Sequence, residues 1–104
     1  MKFINLCHYT SDLDKVATLR PAHRRYIDEL DQKGKLWAAG PFANGLGALF
    51  VYEAETFHEA EDIFRNDPYL LGEVIDNHEL TAWDAALYYA PPRPVSICGS
   101  SESN

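Results

Sequence analysis

A histidine within an apolar helical stripe is the residue whose type and spacing best fit chemistry. His23 lies three or four positions from Leu19, Tyr26 and Ile27, so a helix would place it on the face that packs inward. One interpretation is a core histidine whose hydrogen bonds are simply satisfied. The other is a proton carrier, because imidazole takes up and releases a proton near neutral pH.

Three arginines lie close to this histidine in sequence, namely Arg20, Arg24 and Arg25. They are the one local basic concentration in an acidic chain, and Arg20 lies one helical turn before His23 on the same face. The arginines could form a solvated helix surface paired with Asp28 and Glu29. Alternatively, this basic concentration could hold an anion, with Arg20 next to the imidazole.

Asp67 is the second candidate, and it lies where a predicted helix ends, directly before Pro68. Aspartate is common in turns, which is a sufficient structural explanation for this position. If both predicted helices lie on one side of a sheet, however, Asp67 and His23 reach one small pocket. A carboxylate beside an imidazole fixes its tautomer and makes a proton-shuttling pair. The catalytic residues are therefore predicted to be His23 and Asp67.

Other reactive side chains fit no known arrangement. His8, His58 and His78 lack the spacing of metal ligands, so we predict no metal. Cys7 and Cys98 have no CxxC spacing, which indicates unpaired thiols in a reducing cytoplasm, with Cys7 a buried bystander. No glycine-rich phosphate loop or nucleophile motif occurs, and we expect no cofactor.

Length and charge limit the class of protein. With 104 residues, 46% of them apolar, the chain fits one domain with its own core. Nine basic residues against sixteen acidic ones give a net charge of −7, which argues against nucleic acid as a partner. No apolar run approaches the roughly 20 residues of a membrane span, so we predict a cytoplasmic protein without a membrane partner.

The hydrophobic periodicity predicts the elements that would position these residues. In order they are a strand over Lys2–Tyr9, a helical region ending at Lys33–Gly34, strands over Leu36–Gly40 and Leu46–Tyr52, a helix from Phe57 to about Asn66, and a strand over about His78–Tyr88. Thr56 and Glu59 form a capping box at the second helix.

Pro21 falls inside the first helical region. Because proline suits only a first turn, we predict a short helix over about Asp12–Thr18 and a new helix from Arg20, in preference to one kinked helix. Residues 68–72 are expected to form an irregular turn.

This β-α-β-β-α-β order predicts a ferredoxin-like α+β fold, in which a four-stranded antiparallel sheet carries both helices on one face. The other face is also apolar and needs a cover, either a second copy or the folded-back tail, and we predict a homodimer through it. Residues 1–90 would form the domain. Residues 91–104 would form a Pro/Ser-rich C-terminal tail, in which Val95 and Ile97 could contact a neighbour.

A set of short motifs resembles a known family. They are Arg20-Pro-Ala-His23, Gly34, Ala39-Gly40-Pro41-Phe42, Gly47-Ala48-Leu49, Glu59-Ala60-Glu61 and Asp67-Pro68-Tyr69. Their order and spacing resemble those of YciI-like (YCII-related) proteins over roughly Met1 to Leu87. The resemblance implies a ferredoxin-like fold that dimerises sheet to sheet into a dimeric α/β barrel. It also implies that the family's histidine and aspartate fall on His23 and Asp67.

The resemblance also implies a chemistry. The family includes a dehydrochlorinase that acts on a chlorinated hydroxyhydroquinone, and it is related to the muconolactone isomerases. We therefore expect a cofactor-independent lyase or isomerase that acts on a small aromatic or quinone-type ring. The specific reaction that we expect is dehydrochlorination of a chlorinated hydroxyhydroquinone in aromatic degradation. The expected substrate-binding residues are Arg20, His8, Tyr26, Pro41, Phe42 and Tyr69. The alternatives are a non-catalytic small-ligand-binding or sensor module and a subunit whose role is assembly.

Overall fold

The structure is a computed structural model that describes residues 1–86. The strands in this range are β1 (Lys2–Tyr9), β2 (Leu36–Pro41), β3 (Gly47–Glu53) and β4 (Ile75–Trp83), and the helices are α1 (Leu13–Gln32), α2 (Phe57–Arg65) and α3 (Pro68–Leu71). All strand pairs are antiparallel, and the sheet order is β2-β3-β1-β4. The predicted ferredoxin-like α+β fold is therefore confirmed. None of the helices within residues 1–86 has the length and apolar composition needed to cross a membrane.

The alternation of β1 decides which face of the sheet carries the helices. Phe3, Asn5 and Cys7 are all buried, and the β1–β3 register sets them opposite Tyr52, Phe50 and Ala48. This face packs against apolar residues of α1 and α2, including Ile27, Leu30, Ile63 and Phe64. Ile4 and Leu6 point to the other face, because successive strand residues alternate. The core, and with it the candidate site, therefore lies between the sheet and the helices.

Helix α1 is continuous, so the prediction of two helices divided near Pro21 was wrong. It begins after Asp12, whose carboxylate accepts a hydrogen bond from the Lys15 amide at 3.1 Å. Pro21 lies inside the helix, where a proline costs about 3 kcal/mol. The buried residues Val16 and Ile27 lie on either side of it. We attribute the unbroken helix to this packing, which outweighs the local preference of proline.

The segment after α2 also differs from its prediction. Residues 68–71 form the short helix α3 and not an irregular turn. Pro68 occupies the first turn of α3, where the missing amide hydrogen costs nothing. Asp67, which was placed at the C-terminus of α2, is instead the N-cap of α3.

Strand β4 begins at Ile75, three residues before its predicted start. Tyr88, at the predicted end of this strand, lies outside the described residues, as do Val95, Ile97 and the whole predicted tail.

Candidate active site

The two residues singled out for chemistry, 44 positions apart in sequence, contact each other directly. Nδ1 of His23 lies 2.9 Å from Oδ1 of Asp67. Both side chains are buried, with exposed fractions of 4% for His23 and 1% for Asp67. His23 projects from the inward face of α1, and Asp67 lies in the break between α2 and α3. The fold thus makes the pair by bringing the middle of one helix onto the end of another.

The hydrogen bonds of Asp67 fix the tautomer of the imidazole. Oδ1 of Asp67 also accepts a hydrogen bond from the Tyr69 amide at 2.9 Å, so this oxygen acts as an acceptor. Nδ1 of His23 is therefore the donor in the pair. A neutral His23 then carries its lone pair on Nε2, which is left available to a ligand. This is the arrangement of a general base.

Aromatic rings hold the imidazole in place on two sides. The ring of Tyr69 stacks on His23, with centroids 3.9 Å apart and planes inclined by 10°. Phe50 of β3 meets His23 edge to face, with centroids 5.5 Å apart. Tyr69 is itself 2% exposed and packs with Val16 and Val74 in a small cluster of buried residues. The ring of His23 is therefore fixed by packing as well as by its hydrogen bond.

A cavity of about 260 Å³ lies beside the pair. It is lined by Tyr9, Arg20, His23, Arg24, Gly40, Pro41, Gly45, Ala48, Phe50 and Tyr69. Its wall is largely aromatic and apolar, while its charged groups come from α1. A space of this size and lining is suited to a small flat ring carrying polar substituents.

The structure separates the predicted substrate-binding residues into two groups. Arg20, Pro41 and Tyr69 line the cavity together with His23. His8, Phe42 and Tyr26 are not among its lining residues. His8 is exposed and packs on Phe42, with ring centroids 5.8 Å apart.

Tyr26 is engaged elsewhere, since its hydroxyl donates to the carbonyl of Ile63 at 2.6 Å. Its ring lines a separate cavity between α1 and α2. The periodicity of α1 predicts which residues share its apolar stripe, but it does not say which of them reach the cavity.

Several residues that line the cavity were not predicted as site residues, among them Tyr9 and Arg24. Tyr9 is the last residue of β1, at the end of the sheet where the cavity opens, and its ring meets Tyr69 edge to face at 5.5 Å. Arg24 follows Arg20 by four residues on α1. That spacing was visible in the sequence and places both arginines on neighbouring parts of one helix face.

Burial changes the acidity of several groups near the pair, among them Cys7 and Tyr9. Burial raises the pKa of the Cys7 thiol to about 12, and the negative charge of Asp67 adds to this rise. Cys7 is free and fully buried, so it stays protonated at neutral pH and is no nucleophile. Burial also raises the pKa of Tyr9 to about 12, so its hydroxyl remains a hydrogen-bond donor. Within residues 1–86, no group of three or more His, Cys, Asp or Glu side chains is arranged to hold a metal ion.

The fold and this site define an α+β protein with a buried histidine–carboxylate pair at the wall of a small cavity. The model of the YCII-related domain matches residues 1–84, and the chain belongs to this family. No curated protein sequence matches the chain.

Among solved structures, the chain is similar to 5-chloro-2-hydroxyhydroquinone dehydrochlorinase (TftG) from Burkholderia phenoliruptrix AC1100, in complex with 2,5-dihydroxybenzoquinone. The TM-score is 0.72 at 21% identity, over 81% of this chain and 94% of that one. This likeness establishes the shared fold.

Proposed function

We propose that this protein is a cofactor-independent lyase or isomerase that transfers a proton on a small oxygenated ring. His23 is the general base, and Asp67 orients it and stabilises its protonated form. The observation that carries the proposal is the 2.9 Å contact between Nδ1 of His23 and Oδ1 of Asp67 at the wall of a ring-sized cavity. The proton acceptor is then Nε2, which the contact leaves available.

The chemistry needs only groups that the chain supplies. A ring hydroxyl gives its proton to Nε2 of His23 while the ring lies against Phe50 and Tyr69. In dehydrochlorination of a chlorinated hydroxyhydroquinone, His23 returns this proton to the ring carbon that bears chlorine, and the oxygen becomes a carbonyl. A second hydroxyl proton then passes to His23, its oxygen becomes the second carbonyl, and chloride leaves the protonated carbon with the bonding electron pair. The ring loses HCl in total and becomes a hydroxyquinone, so no external oxidant is required. The product ring keeps the flat shape that the aromatic wall accommodates.

The choice of a quinone-type ring is supported by the comparison above. TftG shares the fold, and its structure holds 2,5-dihydroxybenzoquinone, a flat six-membered ring with four oxygen substituents. The cavity beside His23 combines an aromatic wall with two arginines, a lining that complements such a ring. Dehydrochlorination of a chlorinated hydroxyhydroquinone is therefore the specific reaction that we propose, as part of aromatic degradation.

The test is the reaction itself. The purified chain would be incubated without oxygen with 5-chloro-2-hydroxyhydroquinone, and released chloride and quinone absorbance would be followed. We expect chloride and quinone to appear in equal amounts, and His23→Gln to abolish both. Binding of the ring without release of chloride would exclude the lyase and leave the ligand-binding or sensor module. Failure to bind at all, with oligomerisation unaffected by His23→Gln, would leave an assembly subunit.

We also propose that the chain forms a homodimer through the sheet face turned away from the helices, giving a dimeric α/β barrel. Ile4 and Leu6 of β1 lie on this face, and the register pairs them with Val51 and Leu49. A sheet face this apolar needs a partner. Leu49→Glu would place a charge there, and sedimentation of the wild type as a dimer and of the variant as a monomer would support the proposal.

The free thiol of Cys7 fits a reducing compartment, and we propose that the protein is cytoplasmic.

A further inference from the structure

Tyr9 contributes to the cavity wall from the end of β1. Strand alternation places it on the same face as Cys7, two residues earlier. Its amide donates a hydrogen bond to the carbonyl of Leu46 at 2.9 Å, and the next amide, that of Thr10, donates to the carbonyl of Val74 at 2.8 Å. The backbone of Tyr9 is therefore fixed where the sheet meets the cavity.

The ring of Tyr9 is also held in place. It packs against both clusters of buried core residues, and it meets Tyr69 edge to face with ring centroids 5.5 Å apart. The imidazole of His23 stacks on the same Tyr69 ring, with centroids 3.9 Å apart. Because Tyr9 and His23 both contact one ring at the cavity wall, a single small ligand can reach the two side chains at once.

The hydroxyl of Tyr9 has no hydrogen-bond partner among residues 1–86, although the residue is partly buried. Two other tyrosines of the interior differ from it. The hydroxyl of Tyr26 donates to the carbonyl of Ile63 at 2.6 Å, and that of Tyr52 accepts from Nδ2 of Asn5 at 3.2 Å. Since polar groups inside proteins are normally bonded, an unbonded hydroxyl at a cavity wall indicates a bond to a ligand.

The cavity wall presents a donor and an acceptor at separate positions. Burial is the main cause that raises the pKa of Tyr9 to about 12, the neighbouring Tyr69 adds to the rise, and Arg20 acts in the opposite direction. The hydroxyl of Tyr9 therefore keeps its proton at neutral pH and donates it to a hydrogen bond. Nε2 of a neutral His23 is, by contrast, an acceptor.

A ring of the proposed substrate class has at least two oxygens, and Nε2 of His23 engages one oxygen at a time. Any other oxygen of the bound ring needs a partner, because burying it unbonded would weaken binding. We propose that Tyr9 is a specificity-determining residue, whose hydroxyl donates a hydrogen bond to a second ring oxygen and so selects rings with two oxygens over rings with one. The inference rests on the proposed function, because it assigns how that same cavity recognises its ring.

Binding of uncharged probes tests the inference. Phenol has one oxygen, whereas catechol, resorcinol and hydroquinone each add a second hydroxyl at a different distance from the first. We expect the wild type to bind at least one of these diols about threefold to tenfold more tightly than phenol, the gain expected from a neutral hydrogen bond. Tyr9→Phe keeps the ring, so it should remove this gain and leave the affinity for phenol unchanged. Titrations followed by NMR in the absence of oxygen measure the affinities.

Tyr26→Phe is the matched control. It also removes the hydroxyl of a tyrosine whose pKa is raised by burial to about 12, but Tyr26 does not line the cavity. Its affinities for all the probes should equal those of the wild type. The inference would be overturned if the wild type bound no diol more tightly than phenol, or if Tyr9→Phe kept the preference. It would also be overturned if Tyr26→Phe lost the preference as fully as Tyr9→Phe. Circular dichroism of each variant verifies that it is folded.

Turnover separates this inference from the proposed function. With 5-chloro-2-hydroxyhydroquinone as substrate, Tyr9→Phe should raise KM about threefold to tenfold and change kcat by less than about threefold, as expected for a group that binds the ring without moving a proton. If kcat fell as far as in His23→Gln, Tyr9 would carry a proton, and the inference would fail while the proposed function stood. If the wild type prefers a diol through Tyr9 but has no turnover, the proposed enzyme fails and the inference stands.

Discussion

Tyr69 contacts His23 and Asp67 at the same time. Its ring stacks on the imidazole at a centroid distance of 3.9 Å, and its backbone amide donates to Oδ1 of Asp67 at 2.9 Å. One residue at the start of α3 thus fixes both members of the pair, one through its side chain and one through its backbone. The consequence is that the ring of Tyr69, and not its hydroxyl, positions His23.

Substitutions of Tyr69 test this relationship. Tyr69→Phe keeps the ring and the amide, so we expect stability and turnover close to those of the wild type. Tyr69→Ala removes a buried ring and should lower the free energy of unfolding by about 3–5 kcal/mol. Urea unfolding measures both effects. A loss of turnover in Tyr69→Phe equal to that in His23→Gln would contradict a positioning role and assign chemistry to the hydroxyl.

Asp67 has two roles that different substitutions separate. Asparagine caps a helix as well as aspartate does, so Asp67→Asn should keep α3 while removing the negative charge beside His23. We expect turnover to fall by about 10²-fold or more, since the protonated imidazole loses its counter-charge. Asp67→Ala also removes the cap and leaves the Nδ1 donor of His23 unpaired, so it should lower stability by about 1–3 kcal/mol as well.

The measurement compares kcat with the midpoint of urea unfolding for the two variants. If Asp67→Asn retained full turnover, the carboxylate would be only a cap. If Asp67→Asn lost as much stability as Asp67→Ala, the negative charge of Asp67 would be needed to stabilise the fold.

The sequence was sufficient to predict the order of the elements and the burial of His23. Alternation in β1 and the stripe on α1 depend on local periodicity, which sequence shows directly. The unbroken helix at Pro21 could not be predicted, because packing on both sides of the proline decides it. The position of Asp67 as the N-cap of α3 was missed for a related reason. Pro68 disfavours helical geometry in the residue before it, and it also suits the first turn of a helix. The sequence therefore fits a turn after α2 as well as a new helix that begins at Pro68.

The contact between His23 and Asp67 was foreseeable from the sequence, whereas most of the cavity lining was not. The two residues were paired because helices on one face of a sheet can bring them to one pocket, and because the family resemblance implies the same pair. Which side chains line the remaining cavity depends on where strand ends and loops lie, and periodicity carries no such information. Tyr9 at the end of β1 illustrates this limit, because it lines the cavity by its position in the fold and not by any motif.

Two glycines near the cavity should differ in their tolerance of a side chain. A Cβ on Gly47 would lie 2.1 Å from the carbonyl oxygen of Cys7 and 2.9 Å from the Phe42 ring. The backbone of β1 cannot move away without breaking its pairing with β3, so Gly47→Ala should lower the free energy of unfolding by about 1–3 kcal/mol.

Gly40→Ala is the matched control, because nothing lies within 4 Å of its added Cβ. Gly40 also lines the cavity, so this variant changes the wall without straining the backbone. We expect its midpoint of urea unfolding to equal that of the wild type. If both variants lost the same stability, the loss in Gly47→Ala would not come from the close approach of β1 and β3 at Gly47.

Cys7 makes the stability of the fold sensitive to alkali. Its pKa rises from an ordinary 9.0 to about 12 in the folded protein. Because the unfolded chain ionises first, the stabilising contribution is fully present below about pH 9 and is lost as the pH rises towards 12. In a Cys98→Ser background, where Cys7 is the only thiol left, the folded protein should not react with a thiol reagent at pH 8, whereas the urea-unfolded protein should react fully. Adding Cys7→Ala should make the fall in the free energy of unfolding between pH 8 and pH 10 less steep. If Cys7 reacted in the folded state, or if the fall were equally steep without it, the buried thiol would not be the titrating group.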